Sequence, residues 1–582
     1  MSAPLLDPQP DRKRKRQEED YGLNELHPNV RTTAGPSLEP LAPDHLHGTT
    51  TEPYQYERLP TTTSFRVLKL LLGQKPDDLR YELHHTSFEK RRSYEAISYA
   101  WGDPQVKTPS KRSGGELETT PSLRDALVQM RRPRRPRWLW ADAICINQAD
   151  KAERGHQVQR MQQIYKNASR VIVWLGTDED GNVETAVPFM RSLVAKLCKE
   201  ADLKTSGLKS IDNLYQLLPQ YAFRGEFDPA EPTWKPVLQY SQQAWFRRLW
   251  VLQEINAGPD VQVLCGNSVI EWDYVALAAK HIYAFGDTFA RVWVIDSKVH
   301  LGIYHMRAKH YHRLPNVLDT LSIGRFYRAS DPKDHVYGMM AMPAFARGSF
   351  PLEVDYNKSP LEVYRDVVYQ WIKSEKNLFV LGYVEHAEGI DTVFPSWVPR
   401  WDSPALTRNW RTQSSGADME MDVALDPDHG FLKVCGIQFD TITEATEIDI
   451  EKWFPYLDEK RPGQPLLDRL LEARGKTYPN HGTLIDAYAW TLNAGTTHGP
   501  NGERQLASDG NEEFRADFWS YIQRFPEAEN LFGQNENIPS SALLKNAVWQ
   551  RYLVDARGFC QHRALLLTSK GYMGLGPKIT RA

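Results

Sequence analysis

The chain has 582 residues, 41% hydrophobic and 25% charged, with 17 Trp, 26 Tyr and 21 Phe and a net charge of -3. That length exceeds what one hydrophobic core serves, so two or more domains are predicted, and the aromatic supply excludes a mostly disordered protein. The near-zero net charge gives no global attraction to nucleic acid or to an anionic membrane, and neither is expected as a partner.

Residues 1–52 are rich in Pro, Asp, Glu, Arg and Thr without a hydrophobic period and read as a disordered tail. They contain no apolar leader, and the longest apolar runs, such as Val67 to Leu72, are too short to span a bilayer. A cytoplasmic location is expected. The basic run Arg12-Lys13-Arg14-Lys15-Arg16 reads equally as a nuclear localisation signal or as a solvated charge cluster. Five scattered cysteines (Cys145, Cys198, Cys265, Cys435, Cys560) form no CxxC pair, which suits a reducing compartment and excludes a disulfide framework or a zinc knuckle.

Phe65 to Leu71 and Leu79 to Leu83 are predicted as strands, and Tyr94 to Gly102 as a strand ending in a glycine turn. Residues 103–119 are polar, with Pro, Lys and two glycines, and read as a surface loop. Pro121 opens a helix with Leu123, Ala126, Leu127 and Met130 on one face. The apolar run Trp138 to Ile144 is predicted as a strand, and Asp150-Lys151-Ala152-Glu153 as a capping box for a helix burying Val158, Met161, Ile164 and Tyr165. Arg170 to Gly176 is a further apolar strand. Strands alternating with helices predict an α/β fold with a parallel sheet between helical layers.

A long insertion, residues 177–244, carries helix-like stretches at Val187 to Cys198 and Ile211 to Tyr221, and is expected to cover or fill a site. It ends at Trp245-Phe246-Arg247-Arg248-Leu249-Trp250-Val251-Leu252-Gln253-Glu254-Ile255, a buried-helix pattern with Trp250 and Glu254 one turn apart. An acid beside a large aromatic is either a buried group held by a partner or an acid placed for chemistry. Beyond residue 275 the patterning is less regular. A capped helix is predicted from Asp331-Pro332 through Met342, and another opens at Ser359-Pro360-Leu361-Glu362. Gly430 to Asp440 and Ala564 to Ser569 read as strands, and 494–515 as a polar insertion. The expected domains are 53–275 and an α+β domain, 276–582.

Tyr94-Glu95-Ala96-Ile97-Ser98-Tyr99-Ala100-Trp101-Gly102 resembles the opening block of the fungal heterokaryon incompatibility (HET) domain. Leu139 to Gln148 resembles its second block, which runs on through Glu153-Arg154 and Ala168 to Val171-Ile172-Val173-Trp174-Leu175-Gly176. Trp245 to Glu254 resembles its third. Asp331 to Gly338, Val354-Asp355-Tyr356, Pro395 to Pro399 and Gly571 to Pro577 are similar to segments of the C-terminal half of such proteins. Those proteins commonly continue past the last block with further strands, so a domain ending at Ala582 is expected either to lack an edge or to belong to a shortened gene product. The resemblance implies an effector or signalling protein in non-self recognition and programmed cell death, working through an unknown protein partner or self-assembly.

HET domains are in turn distantly similar to Toll/interleukin-receptor (TIR) domains, which implies a flavodoxin-like sheet. Trp250-Val251-Leu252-Gln253-Glu254 matches the TIR spacing of tryptophan, three residues and glutamate. In enzymatic TIR domains that glutamate supports cleavage of NAD between ribose and nicotinamide. By this resemblance Glu254 is the catalytic acid and NAD a substrate rather than a resident cofactor. Loss of nicotinamide leaves an oxocarbenium-like ribose that a carboxylate stabilises. Tyr99, Trp101 and Trp250 offer flat walls for its rings, Asp142 and Asn147 hydrogen-bond partners for ribose hydroxyls, and Arg247 or Arg248 a cation for the pyrophosphate.

Each of these residues has a structural reading as well. Trp250 fits a core, Trp101-Gly102 a packed turn, Asp142 a cap for the next segment, and Glu254 a buried partner of Arg154 or Arg248. Cys145 fits a small buried hydrophobe. A non-catalytic scaffold acting through protein contacts is therefore the competing function. No Walker A, HExxH or GxSxG sequence occurs. His305 and His312, seven apart with no acid nearby, do not make a metal site, and Arg131 to Arg137, broken by two prolines, reads as a solvated loop.

Overall fold

The computed structural model describes residues 54–578 except 75–78, 91, 104–105, 107, 113–114, 201–227, 285–288, 290–298, 301, 304–315, 348–349, 386–393, 405–422, 427–429, 456–462, 481, 499–503, 507–510 and 532–537. The tail 1–52 with its Arg12–Arg16 run, Ile211 to Tyr221, His305 and His312 lie outside the described residues.

Nine strands make one sheet: β1 (Ser64–Leu70), β2 (Arg80–Ser87), β3 (Glu95–Tyr99), β4 (Thr108–Arg112), β5 (Gly115–Thr119), β6 (Arg137–Trp140), β7 (Arg170–Trp174), β8 (Val261–Cys265) and β9 (Ser268–Glu271). Their order is β5-β4-β2-β1-β6-β3-β7-β8-β9. The four central strands β6-β3-β7-β8 are parallel. β1 runs antiparallel to both β2 and β6, and β8–β9 is a hairpin closed by Gly266, φ +54°, and Asn267. The expected parallel sheet is found at the centre, and the sheet as a whole is mixed. The reason is connection length: parallel neighbours need a crossover of a dozen or more residues, which neither the β1–β2 nor the β8–β9 link provides. The centre is parallel because β3 and β7 are apolar without alternation, so both faces are covered, with Ala96, Ile97, Val171 and Val173 fully buried.

Three local predictions are corrected. Residues 103–119 are not simply a loop: β4 and β5 pair antiparallel, since backbone pairing requires no apolar side chains. The strand expected through Ile144 stops at Trp140, where Ala143 N–H bonds the Asp142 carboxylate at 2.8 Å and Cys145 N–H bonds the Ala141 carbonyl at 2.8 Å. These bonds turn the chain into a single helical turn, α2 (Asp142–Cys145), after α1 (Pro121–Met130). Asp150 does cap α3 (Lys151–Asn167), accepting from Ala152 and Glu153 N–H, but Glu153 does not reach back to it. Its carboxylate pairs with Arg66 at 2.6 and 3.0 Å and accepts the Asn147 N–H at 2.8 Å. A buried guanidinium outcompetes a cap N–H that water can serve.

Within the insertion, α4 (Val183–Glu200) packs on β9, on α5 (Trp234–Ser241) and on the later helix Trp272–Ala284. Next come α6 (Val251–Ala257), α7 (Trp272–Ala284), α8 (Val317–Gly324) and α9 (Asp334–Tyr337). The helix expected through Met342 is only that four-residue turn. The Ser359 box opens α10 (Pro360–Glu375) as predicted, with Ser359 and Glu362 bonded reciprocally.

One hydrophobic core takes residues from Phe65 to Trp401, and a second from Ile448 to Leu565. The second is α+β: helices that include Gln464–Ala473, Leu484–Leu492, Glu512–Ile522 and Trp549–Cys560 accompany an antiparallel sheet of Ile442–Glu447, Arg563–Thr568 and Met573–Pro577. Of Gly430 to Asp440 only Phe431–Val434 is strand, paired with Val423–Asp426. In 494–515 the short strands Thr496–His498 and Arg504–Leu506 pair before the next helix begins. No helix among the described residues is long and apolar enough to cross a membrane.

Candidate functional site

Because β3 and β6 are parallel neighbours, the chain leaves both at the same edge of the sheet, where such sheets present loops to ligands. Trp101 follows β3 and Asp142 follows β6. The Trp101 indole N–H donates to both Asp142 oxygens, at 3.2 and 3.0 Å, and both residues are half-buried. Gly102 makes the turn beyond them at φ +74°, a conformation that costs a residue with a Cβ. Tyr99 is buried, and its hydroxyl faces Asp142. Burial raises the Asp142 pKa above its ordinary value, opposed by the nearby Arg248 charge.

Behind this edge lies Glu254, only 2% exposed. Its carboxylate accepts a short hydrogen bond from the Ser98 hydroxyl, and Ser98 Oγ in turn accepts the Trp245 indole N–H at 2.8 Å. The partner is therefore neither Arg154 nor Arg248. Arg248 instead donates to the Tyr99 carbonyl, acting on Glu254 through its charge alone. Desolvation raises the Glu254 pKa to about 7, with Arg248 and Ser98 pulling it down and Asp142 pushing it up. The Asp142 charge thus disfavours ionisation of Glu254, while the Arg248 guanidinium favours the charged form of both carboxyls.

The structure thus groups Tyr99, Trp101, Asp142, Arg248 and Glu254. Two other candidates, Asn147 and Trp250, are engaged elsewhere, and Arg247 is held through its backbone. Asn147 closes its own turn, its Oδ1 accepting Ala149 N–H at 3.2 Å. The Arg247 carbonyl accepts Arg328 N–H at 2.6 Å. Trp250, half-buried, donates its indole N–H to Asp334 at 3.2 Å. Ser98, Trp245 and Asp334 were missed in the sequence. Ser98 left one signal: it is the polar residue inside the apolar stretch Ala96 to Tyr99, and a buried hydroxyl needs a partner. Cys145 is buried, and desolvation pushes its thiol up to about 12, so it stays a neutral packed group. No cluster of three or more His, Cys, Asp or Glu able to hold a metal occurs among the described residues.

Residues 94–254, from the start of β3 to the carboxylate just described, match the family model for Heterokaryon incompatibility protein (HET). That segment of the chain is similar to the HET family. The chain is 24% identical to heterokaryon incompatibility protein 6, OR allele, of Neurospora crassa, over 86% of its own length and 85% of that protein. No solved structure matches the chain.

Proposed function

We propose that this chain is an effector or signalling protein of fungal heterokaryon incompatibility, converting non-self recognition into programmed cell death. The observation that carries this reading is the HET match over 94–254, which spans the whole Trp101–Asp142–Glu254 edge. The named Neurospora crassa relative supports it along most of the chain.

The chemistry we propose for that edge is TIR-like cleavage of NAD. The central strand order, β6-β3-β7-β8, is second-first-third-fourth in chain order, as in flavodoxin-like sheets, which bind ligands at the strand ends where the order reverses. In this reaction water adds to the anomeric carbon of the ribose and loses a proton, while nicotinamide leaves with the electrons of the glycosidic bond. Trp101 and Asp142 would receive the nucleoside, Arg248 the pyrophosphate, and Glu254 would stabilise the cationic ribose. Glu254 must leave Ser98 to do so. Its sealed position is the observation favouring the second reading, a module that signals through assembly without catalysis.

The full-length chain incubated with NAD is expected to release nicotinamide, and Glu254→Gln to lower that rate by about 100-fold without any loss of thermal stability. Cell death that persists in a stably folded Glu254→Gln variant leaves only the assembly reading.

A further inference from the structure

α6 has seven residues, and Trp250 at its N-cap makes no side-chain capping bond. A helix this short does not hold itself together and takes its position from tertiary contacts. On its inner side it packs on α3 with Val251, Leu252 and Ile255 fully buried, and Glu254 bonds Ser98. On its outer side the contacts come from residues about 80 positions further along the chain. Leu249 N–H bonds the Arg328 carbonyl at 3.0 Å, and Arg328 N–H bonds the Arg247 carbonyl at 2.6 Å. The Gln253 amide bonds the Gly338 carbonyl at 2.7 Å, and the Trp250 indole bonds Asp334 Oδ2 at 3.2 Å. Leu249 also presses on Gly338 so closely that a Cβ there would lie 3.0 Å from Leu249 and 2.8 Å from the Asp334 carbonyl.

Asp334 is the hinge pin of this arrangement. Its Oδ2 holds Trp250, while its Oδ1 accepts the Tyr356 hydroxyl at 2.7 Å. Asp334 is 8% exposed and Tyr356 41%, so the link runs from the buried acid helix to the surface. We infer that Asp331–Gly338 is a latch that keeps the Glu254 helix seated, with Asp334 and Tyr356 as its release point. Loosening that link frees α6 from its outer side and exposes Glu254. The latch acts whether or not the chain cleaves NAD. It also places an essential support of the HET domain outside residues 94–254.

The test uses the full-length chain with Tyr356→Phe, which removes one hydroxyl, and Asp334→Asn, which removes the charge. Two readouts are taken: amide hydrogen exchange by segment, and carbodiimide labelling of Glu254 followed by mass spectrometry. Both variants are expected to exchange residues 251–257 at least 10-fold faster and to label Glu254 several-fold more, with amides of β3 and β7 unchanged. Exchange and labelling at wild-type levels in both variants, or an equal rise in β3 and β7, overturns the latch. Should Asp334→Asn fail to fold, Tyr356→Phe alone decides by the same criteria.

Discussion

Arg66→Ala is expected to destabilise the protein by about 3–5 kcal/mol, the usual result of removing one partner from a buried ion pair. Arg66 is 1% exposed and meets the Glu153 carboxylate in two hydrogen bonds. Its guanidinium also holds the Glu57 carbonyl at 2.5 Å and the Cys145 carbonyl at 3.3 Å, and lies over the Tyr56 ring. Alanine leaves the Glu153 charge and both carbonyls without that donor. The cost reaches the site, because Glu153 and Cys145 anchor the turn that begins at Asp142. Urea unfolding measures the effect, and a loss under about 1 kcal/mol would show that water replaces the guanidinium. Arg66→Met combined with Glu153→Leu is expected to recover most of the loss, since apolar groups of similar size need no partners.

The second large effect is in the pH dependence of stability. Glu254 has an ordinary pKa of 4.5 when unfolded and about 7 when folded. Below pH 4.5 both states hold the proton and the group contributes no penalty. Between 4.5 and 7 the unfolded chain has lost the proton that the folded chain keeps, so stability falls as pH rises, and the fall is complete above about pH 7. At roughly 1.4 kcal/mol for each unit of raised pKa, the loss is on the order of 3 kcal/mol. Glutamine accepts the Ser98 hydroxyl as well as glutamic acid does and never ionises. Glu254→Gln should therefore match the wild type near pH 4.5 and exceed it at pH 8. Parallel profiles for the two proteins across that range would mean that the folded state keeps Glu254 ionised. The outcome also bears on function, because a carboxyl that titrates near neutrality changes charge under physiological conditions.

These two carboxylates show which interactions were readable from the chain. Asp150 capping α3 and the Ser359–Glu362 box both join residues two or three apart. The strands around Val67, Ile97 and Ile172 were equally plain, since each is an apolar run closed by turn residues. The family blocks were legible for the same reason, being contiguous words in the sequence. What failed was the choice of partner. Glu153 was assigned to its own cap and instead pairs with Arg66, 87 positions away. Glu254 was given an arginine as its structural partner and instead meets Ser98, 156 positions away.

The sequence by itself therefore determined the α/β class, most of the elements before residue 176, and the likeness to the HET family. It also marked Trp250 and Glu254 as a pair on one helical turn. Tertiary structure decided what that pair does. It set Glu254 on Ser98 of β3 and Trp250 on Asp334 of α9, so the two side chains tie α6 to different parts of the fold. The physical reason is range. Periodicity, caps and turns are settled by neighbours within about four residues. A buried polar group bonds to whatever donor the folded sheet brings within about 3 Å, and no local pattern encodes that donor.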